Sequence, residues 1–329
     1  MDHLPDELLA PIFIQVRDAN AIKTGWDGPN PYGILYLGLV CKRWHRVIVG
    51  YPLLWTQIHI SEFRWKAAML SFKWSHPAMV EIYYKSLTRG NANRFIELLA
   101  LHGHRVSRLE LDSSDNLEIQ RILSRFPLLC NIKHLTIRAS AERSDPNRML
   151  VLRISDMASR LNLESLNVHG AVVSFDSPAY RGLRQLDILF TMSQLPDFMV
   201  DQILPVLRGC PDLEDFSLKV IGVTPKQGLE RSSPNVPLPR LKRLLVQSYP
   251  RDIAYLLSRL IIPESTHVSL RITPVNVYHD DDSQQSDTLS ECLRRISLTH
   301  REIPCLAQVT SLLVEEIEDS PEGLFLTGK

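Results

Sequence analysis

The sequence predicts an α/β chain in which a small N-terminal helical module is followed by an irregular β/α solenoid with a parallel sheet. Three observations predict this fold: two amphipathic helical patterns near the N-terminus, a short apolar motif that recurs along the rest of the chain, and helix-like stretches between copies of that motif. We expect the helical module at residues 1–57 and the solenoid at residues 58–329.

The first helical pattern runs from residue 4 to residue 16. Its apolar residues return every three or four positions, which places them on one face of a helix. Pro5 suits the first turn because its missing N–H would be unpaired there, and Asp6 and Glu7 complement the positive end of the helix dipole. Pro11 lies inside the pattern, so we expect the helix to bend or to begin afresh there.

A second helical pattern runs from Tyr36 to Val49, with Trp44 on its apolar face. The residues between the two patterns, 18–33, are rich in glycine and proline, which is typical of a loop. Gly50 ends the second pattern. The sequence therefore predicts two helices that are joined by a long loop.

The order of residues in these two helices resembles the F-box family. Leu-Pro opens the first helix, Val-Cys-Lys-x-Trp lies on the second, and Pro-x-Leu-Trp closes the module. The residues that carry the resemblance are Leu4, Pro5, Glu7, Leu8, Leu9, Ile12, Phe13, Leu39, Val40, Cys41, Lys42, Arg43, Trp44, Pro52, Leu54 and Trp55. Most of the family joins the two helices with only a few residues, so the insert at 18–33 is a departure. Without the resemblance, the core of an ordinary helical cap would be the favoured interpretation of the two apolar stripes.

The resemblance implies a module that binds the Skp-type adaptor of cullin–RING ubiquitin ligases. It also implies which residues contact the adaptor. These residues are Leu4, Pro5, Leu8, Ile12, Val40, Cys41 and Trp44.

Beyond the helical module, an apolar-x-x-apolar-x-apolar motif recurs. Its six clear copies begin at Val106, Ile132, Leu163, Leu183, Leu213 and Leu241, and weaker copies include Ile58, Val80, Val268, Ile296 and Leu312. The alternation at the end of each copy predicts a short strand with one buried face. Helical patterns at 94–102, 117–126, 198–208 and 253–260 lie between copies. Successive clear copies are 20 to 31 residues apart, close to the period of leucine-rich repeats.

This array resembles irregular leucine-rich repeats, so the whole chain resembles an F-box substrate receptor of the fungal type. One strand and one helix cannot bury their apolar faces alone, whereas stacked units share a continuous core. The asparagine or cysteine that usually follows the strand does not recur here, which predicts an irregular array. A compact α/β domain with a parallel sheet is the alternative interpretation.

Composition argues against several classes of partner. Lysine plus arginine and aspartate plus glutamate both number 37, so no net charge attracts nucleic acid or an acidic membrane. The longest apolar stretch, Gly33 to Cys41, is shorter than the ~18 residues of a membrane-spanning helix, and the N-terminus does not resemble a secretory signal. The five cysteines are scattered, which is typical of reduced core thiols. We therefore expect a cytoplasmic or nuclear protein that binds neither nucleic acid nor membrane.

No common catalytic or phosphate-binding motif is present, so we expect no catalytic residue and no cofactor. His102 and His104 have no third ligand in sequence reach, so we predict no metal site. The acidic run 280–287 and the proline-containing run 224–239 are interpreted as loops.

The function that the sequence favours is a non-catalytic receptor that links a target protein to an SCF-type ligase. An F-box scaffold that acts without ubiquitination is the alternative, and an enzyme built from distant residues is a third hypothesis that no motif supports. We expect the target, whose identity the sequence does not give, to bind the concave strand face or the adjoining loops. The residues of this face that should point outward include Glu110, Thr136, Asn167, Asp187, Ser217 and Leu245, but the prediction concerns the surface and assigns no individual contact.

Overall fold

The computed structural model of the protein describes residues 4–21, 33–61, 64–86, 92–124, 129–139, 151–152, 163–173, 181–191, 203–221, 235–248, 250–272, 312–315 and 324–328. The chain folds into two compact units, Met1–Ser140 and Ala141–Lys329. Each unit combines parallel strands with helices, as the sequence predicts. The boundary expected between residues 57 and 58 stays a prediction.

The first unit begins with a group of helices. They are α1 (Asp6–Ala21), α2 (Gly33–Leu37), α3 (Lys42–Gly50) and a 3₁₀ helix at Pro52–Trp55. The backbone N–H groups of Leu8 and Leu9 donate to the Pro5 carbonyl as α1 begins. α1 does not begin afresh at Pro11 but continues through it. Proline has no N–H to donate to the carbonyl one turn earlier, and because Pro11 is exposed, water can donate to that carbonyl instead. The helix also includes residues 18–21, which had been assigned to the loop.

The prediction of one helix from Tyr36 to Val49 is wrong. The chain leaves α2 in a turn in which the Gly38 N–H donates to the Leu35 carbonyl at 3.0 Å. Cys41 is extended, with φ −159° and ψ 164°, and its Sγ accepts from the Trp44 N–H at 3.5 Å as the N-cap of α3. A turn and a new cap therefore divide a stretch whose apolar spacing is typical of one continuous helix.

The rest of the first unit alternates strands and helices. In chain order these are β1 (Gln57–Ile60), α4 (Trp65–Trp74), β2 (Val80–Ser86), α5 (Ala92–His102), β3 (Val106–Ser113), α6 (Asn116–Leu123) and β4 (His134–Ala139). The strands lie in the order β1-β2-β3-β4 and are all parallel. Ile58, Ile82, Leu109 and Leu135 stand in one register across the four strands. The predicted motif is therefore the unit of strand pairing.

The second unit repeats this arrangement with fewer described helices. Its elements are β5 (Val151–Leu152), β6 (Ser165–His169), β7 (Val172–Val173), β8 (Gln185–Thr191), α7 (Ile203–Arg208), β9 (Asp215–Ile221), β10 (Val236–Pro237), β11 (Arg243–Ser248), α8 (Pro250–Arg259), β12 (Leu260–Ile261), β13 (His267–Ile272), β14 (Leu312–Glu315) and β15 (Leu324–Gly328). The strands β6-β8-β9-β11-β13 are parallel neighbours in that order. Two short parallel pairs, β5 with β7 and β10 with β12, accompany them.

The last predicted strand differs from the expectation. β14, which contains the motif copy at Leu312, is antiparallel to β15, and β15 is antiparallel to β13. The connection between β14 and β15 is shorter than the dozen residues that a parallel crossover needs, so the two strands must run in opposite directions. The copy at Ile296 lies outside the described residues.

Alternation along the strands produces the core. In β3 the buried residues include Leu109 and Leu111, while Glu110 between them is half-buried on the other face. β4 and β6 repeat this pattern. These three strands therefore each have one buried apolar face and one face that is partly open to solvent.

Candidate protein-docking surface

The helices at the start of the chain have an apolar core of their own. Its members come from α1, α2, α3 and the 3₁₀ helix, and each is at most 8 % exposed. They are Leu9, Ala10, Phe13, Ile34, Val47, Ile48, Leu54 and Trp55. Part of each apolar stripe that the sequence predicts is therefore buried in this core.

Two buried polar contacts hold these helices together. Arg17 Nη1 donates to the carbonyls of Leu53 and Leu54, at 2.8 Å and 3.3 Å, and so joins the end of α1 to the 3₁₀ helix. Trp55 Nε1 donates to the Ile48 carbonyl at 2.7 Å, which fixes the 3₁₀ helix against α3. The helices are therefore positioned from within, independently of what lies on their outer surface.

Large apolar side chains also lie on that outer surface. The described residues expose thirteen such side chains, and seven of them lie on the N-terminal helices or in the turn between α2 and α3, with exposed fractions from 36 % to 79 %. The seven are Leu8, Ile12, Leu35, Tyr36, Leu39, Val40 and Leu53. We call this set the apolar surface. Apolar side chains that gather on the outside of a closed core are typical of an interaction site.

The structure divides the residues that the sequence assigned to the adaptor contact. Leu8, Ile12 and Val40 belong to the apolar surface, and Pro5 and Cys41 are also exposed.

The remaining two are partly buried. Leu4 packs against the core, and so does Trp44, whose ring meets the Phe13 ring edge-on with centroids 5.1 Å apart.

Sequence reasoning did not assign Leu35, Tyr36, Leu39 and Leu53 to the contact. The second part of the family pattern begins at Leu39, so Leu35 and Tyr36 lie before it. One continuous helix from Tyr36 to Val49 would also point Tyr36 and Leu39 away from the apolar face that contains Trp44. The signal that could have found them is the number of apolar residues, which exceeds what two short helices can bury against each other.

Basic side chains lie next to the apolar surface on α3. Lys42, His45 and Arg46 are all exposed. Arg43 is engaged with α1, since its guanidinium forms an ion pair with Asp6 and donates to the Leu4 carbonyl.

The strand face of the first unit is polar and rich in internal pairs. Tyr83 donates to Glu81 Oε2 at 2.9 Å, and Arg138 forms an ion pair with Glu110. Burial raises the pKa of Asp112, against the opposing influence of Lys85. This face is therefore partly desolvated, and most of its charges have partners within it.

The second unit has a similar strand face. The expected outward residues Asn167, Asp187, Ser217 and Leu245 are half-buried between buried neighbours. Arg243 binds the Asp215 carboxylate through two nitrogens, with Nη2 at 2.8 Å from Oδ2.

The histidines considered as metal ligands have other surroundings. His102 stacks on Phe72 with ring centroids 4.9 Å apart, and burial lowers its pKa. Within the described ranges, no group of three or more histidine, cysteine, aspartate or glutamate residues could hold a metal ion. The acidic run 280–287 lies outside the described residues.

None of the helices in the described part of the chain is both long and apolar enough to cross a membrane.

A comparison with protein families identifies the helical region. The model of the family described as F-box-like matches residues 1–61, which include α1, α2, α3, the 3₁₀ helix and β1. The chain therefore contains an F-box-like domain at its N-terminus. F-box domains bind Skp-type adaptors in cullin–RING ligases, and the proteins that carry them are typically non-catalytic receptors. No curated protein matches the chain.

Proposed function

We propose that this protein is a non-catalytic substrate-recognition subunit of an SCF-type ubiquitin ligase. Its F-box-like domain would bind the Skp-type adaptor, and its irregular leucine-rich-repeat-like strands would bind a target protein. Ubiquitin transfer would take place on other subunits of the ligase.

The apolar surface is the observation that carries this proposal. It lies within the residues that match the F-box-like family, and it lies outside a core that is already closed. Burying exposed apolar area stabilises a complex by about 25 cal/mol per Å², so a partner with an apolar groove would bind these helices. The same region thus has the family's pattern and exposes apolar side chains that a partner would cover.

The seven residues of the predicted contact have two roles in this proposal. Leu8, Ile12 and Val40 would enter the interface directly because they are exposed, with Pro5 and Cys41 beside them. The two partly buried residues, Leu4 and Trp44, would support the interface indirectly by packing on the core and fixing the orientation of α1 and α3. Substitutions of the second kind would reduce both stability and binding.

The target would bind the polar face of the parallel strands. Side chains at alternate positions stand in register on neighbouring strands, as Glu110 does with Thr136 and Asp187 with Ser217. Aligned polar side chains on adjacent strands form an extended surface that can recognise a protein by hydrogen bonds and charge.

Substitution of Leu8 by aspartate tests the adaptor contact. An unpaired carboxylate in an apolar interface costs several kcal/mol, and every 1.4 kcal/mol reduces affinity tenfold, so we expect a loss of at least about a hundredfold. Leu101→Asp is the matched control because this leucine is also exposed, on α5 outside the F-box-like domain. Purified Skp-type adaptor titrated against the three proteins measures the effect, with circular dichroism as the test of folding.

Equal affinities of folded wild type and Leu8→Asp would remove Leu8 from the interface. Failure of the wild type to bind adaptor would contradict the F-box function itself. Addition of the cullin separates the proposed receptor from a scaffold that acts without ubiquitination, because only the receptor forms a complex with adaptor and cullin together.

A further inference from the structure

The outward face of α3 is basic. Lys42, His45 and Arg46 are three and four positions apart, so they share one side of the helix, opposite the buried Val47 and Ile48. α3 contains no acidic residue. Lys42 also follows directly after two exposed residues of the predicted contact, so the basic face continues the apolar surface along the chain.

Within the described ranges, neither Lys42, His45 nor Arg46 has an ion-pair partner. Of the three acidic residues of α1, Asp6 binds Arg43 and Asp18 binds Arg17 at 2.9 Å, so two of them are engaged with other arginines.

We propose that the basic face of α3 faces an acidic surface on the adaptor that flanks the groove for the apolar surface. This inference rests on the proposed function, and it adds the charge of the partner to the apolar contact. Exposed charges at the rim of an interface act mainly on the rate of association, because they guide the two proteins together over several ångströms. The basic face would therefore increase how fast the adaptor binds, while the apolar surface would determine how long it stays.

The double substitution Lys42→Glu/Arg46→Glu tests this division. Both side chains are exposed, and a glutamate at position 42, in the first turn of α3, interacts favourably with the positive end of the helix dipole. The variant should therefore keep its fold. The matched control is Lys66→Glu/Lys73→Glu, which makes the same change in net charge at two exposed lysines of α4. Association and dissociation rates are measured with purified Skp-type adaptor at several salt concentrations, and thermal melts check folding.

We expect association of the double variant to be about tenfold slower at 50 mM salt, with little change in dissociation. The difference should shrink to less than about twofold at 1 M salt, where the screening length is only about 3 Å. The control should associate at nearly the wild-type rate.

Three results would overturn this inference. Equal association rates of wild type and double variant at low salt would show that the basic face is not near the adaptor. An equally large effect in the control would show that only total charge matters. Unchanged adaptor kinetics together with loss of binding to DNA or to phosphatidylserine vesicles would assign the basic face to another partner. These results would leave the proposed function standing if the adaptor still binds and Leu8→Asp still abolishes binding, whereas no binding by the wild type would overturn both.

Discussion

The F-box-like domain and the parallel strands of the second unit differ in the side chains that they place outside. Among the described residues, the helices of this domain bury eight apolar residues in a common core, and seven other large apolar side chains on and between these helices are exposed. The strands of the second unit bury their apolar residues in register and expose polar ones, several of which pair with the neighbouring strand. An example is Asp215 of β9 with Arg243 of β11. Glu214 and Lys242, which directly precede the same two strands, also pair.

This difference separates two kinds of binding surface. An exposed apolar surface gains free energy from any partner that covers it with matching shape. Polar side chains that already have partners gain little unless the new contacts replace the old ones well. We therefore expect the helical domain to supply most of the affinity for its partner, and the strand face to supply selectivity for a target.

The largest predicted effect comes from two adjacent residues of α1 that lie on opposite sides of this division. Phe13 is 2 % exposed and packs on Trp44, whereas Ile12 is 44 % exposed. We expect Phe13→Ala to reduce the free energy of unfolding by about 3–5 kcal/mol, because it leaves a cavity in the core. Ile12→Ala should change stability by less than about 1 kcal/mol but weaken adaptor binding by about tenfold.

Urea unfolding followed by circular dichroism, together with adaptor titration, distinguishes the two variants. A large loss of stability in Ile12→Ala would mean that this side chain belongs to the core. A mild effect of Phe13→Ala would mean that the helices do not have a closed core of their own. Either result would contradict the distinction between a buried, stabilising face of α1 and an exposed, partner-binding face.

Much of the fold was predictable because the motif and the strand register coincide. Copies that begin at Val106 and Ile132 place Leu109 opposite Leu135, and copies that begin at Leu183 and Leu213 place Leu186 opposite Phe216. The same spacing that identifies a half-buried strand also decides which residues pair. Parallel orientation then follows from the helices between copies, as at α5 and α8.

Other features depend on contacts that local spacing does not reveal. The break between α2 and α3 depends on the Gly38 turn and on the Cys41 cap, which interrupt the apolar spacing without changing it. α4 was missed although it packs beside β1. The antiparallel β15 contains no copy of the motif, so its pairing with β13 could not be predicted from the motif.

The candidate surface was predictable only in part. The family resemblance identified Leu8, Ile12 and Val40, which are exposed, together with Leu4 and Trp44, which lie partly in the core. A motif records which residues matter but does not separate those that contact a partner from those that support them. That separation required the exposure of each side chain.

A second prediction concerns His59, which belongs both to the F-box-like domain and to β1. This histidine is 8 % exposed and stacks on Tyr83 with ring centroids 4.6 Å apart, and its Nε2 has no hydrogen-bond partner among the described residues. Burial, reinforced by the positive charge of Arg64, lowers the pKa of His59 to about 4. The unfolded chain binds a proton near pH 6.5, whereas the folded chain does not until near pH 4. Above about pH 6.5 the neutral His59 therefore costs the folded protein nothing. As the pH falls from 6.5 to 5, the free energy of unfolding should decrease by roughly 2 kcal/mol because the unfolded chain takes up a proton and the folded chain does not.

His59→Phe removes the titration and keeps the stacked ring. We expect wild type and variant to have similar free energies of unfolding at pH 8, and the variant to become the more stable of the two as pH falls from 6.5 to 5. The other histidines are common to both proteins, so their contributions cancel in the difference. Parallel curves over this range would show that His59 is solvated, and that the strand face is open where it meets the F-box-like domain.

The smallest predicted effect concerns a row of charges just before the strands of the second unit. Arg184, Glu214 and Lys242 directly precede the neighbouring strands β8, β9 and β11. Lys242 Nζ lies 2.5 Å from Glu214 Oε2, and Arg184 Nη1 lies 3.9 Å from Glu214 Oε1. The hydrogen bond from Lys242 holds the pKa of Glu214 below its usual range. Both cations are well exposed, and exposed ion pairs contribute little to stability.

We expect Glu214→Gln and Lys242→Gln each to lower the melting temperature by about 1 °C or less at low salt. The double variant should lose less than the sum of the two, since the second substitution removes a charge that the first has already left without its partner. At 1 M salt the coupling should vanish, because a screening length of about 3 Å leaves little attraction between exposed groups. The coupling should also disappear in acid, because a carboxylate with a lowered pKa stabilises the fold above its ordinary titration range and loses this effect as pH falls through the folded value. A coupling that is large and survives high salt would show that the charges of the strand face hold the second unit together. The contrast with the F-box-like domain, whose stability lies in its apolar core, would then be wrong.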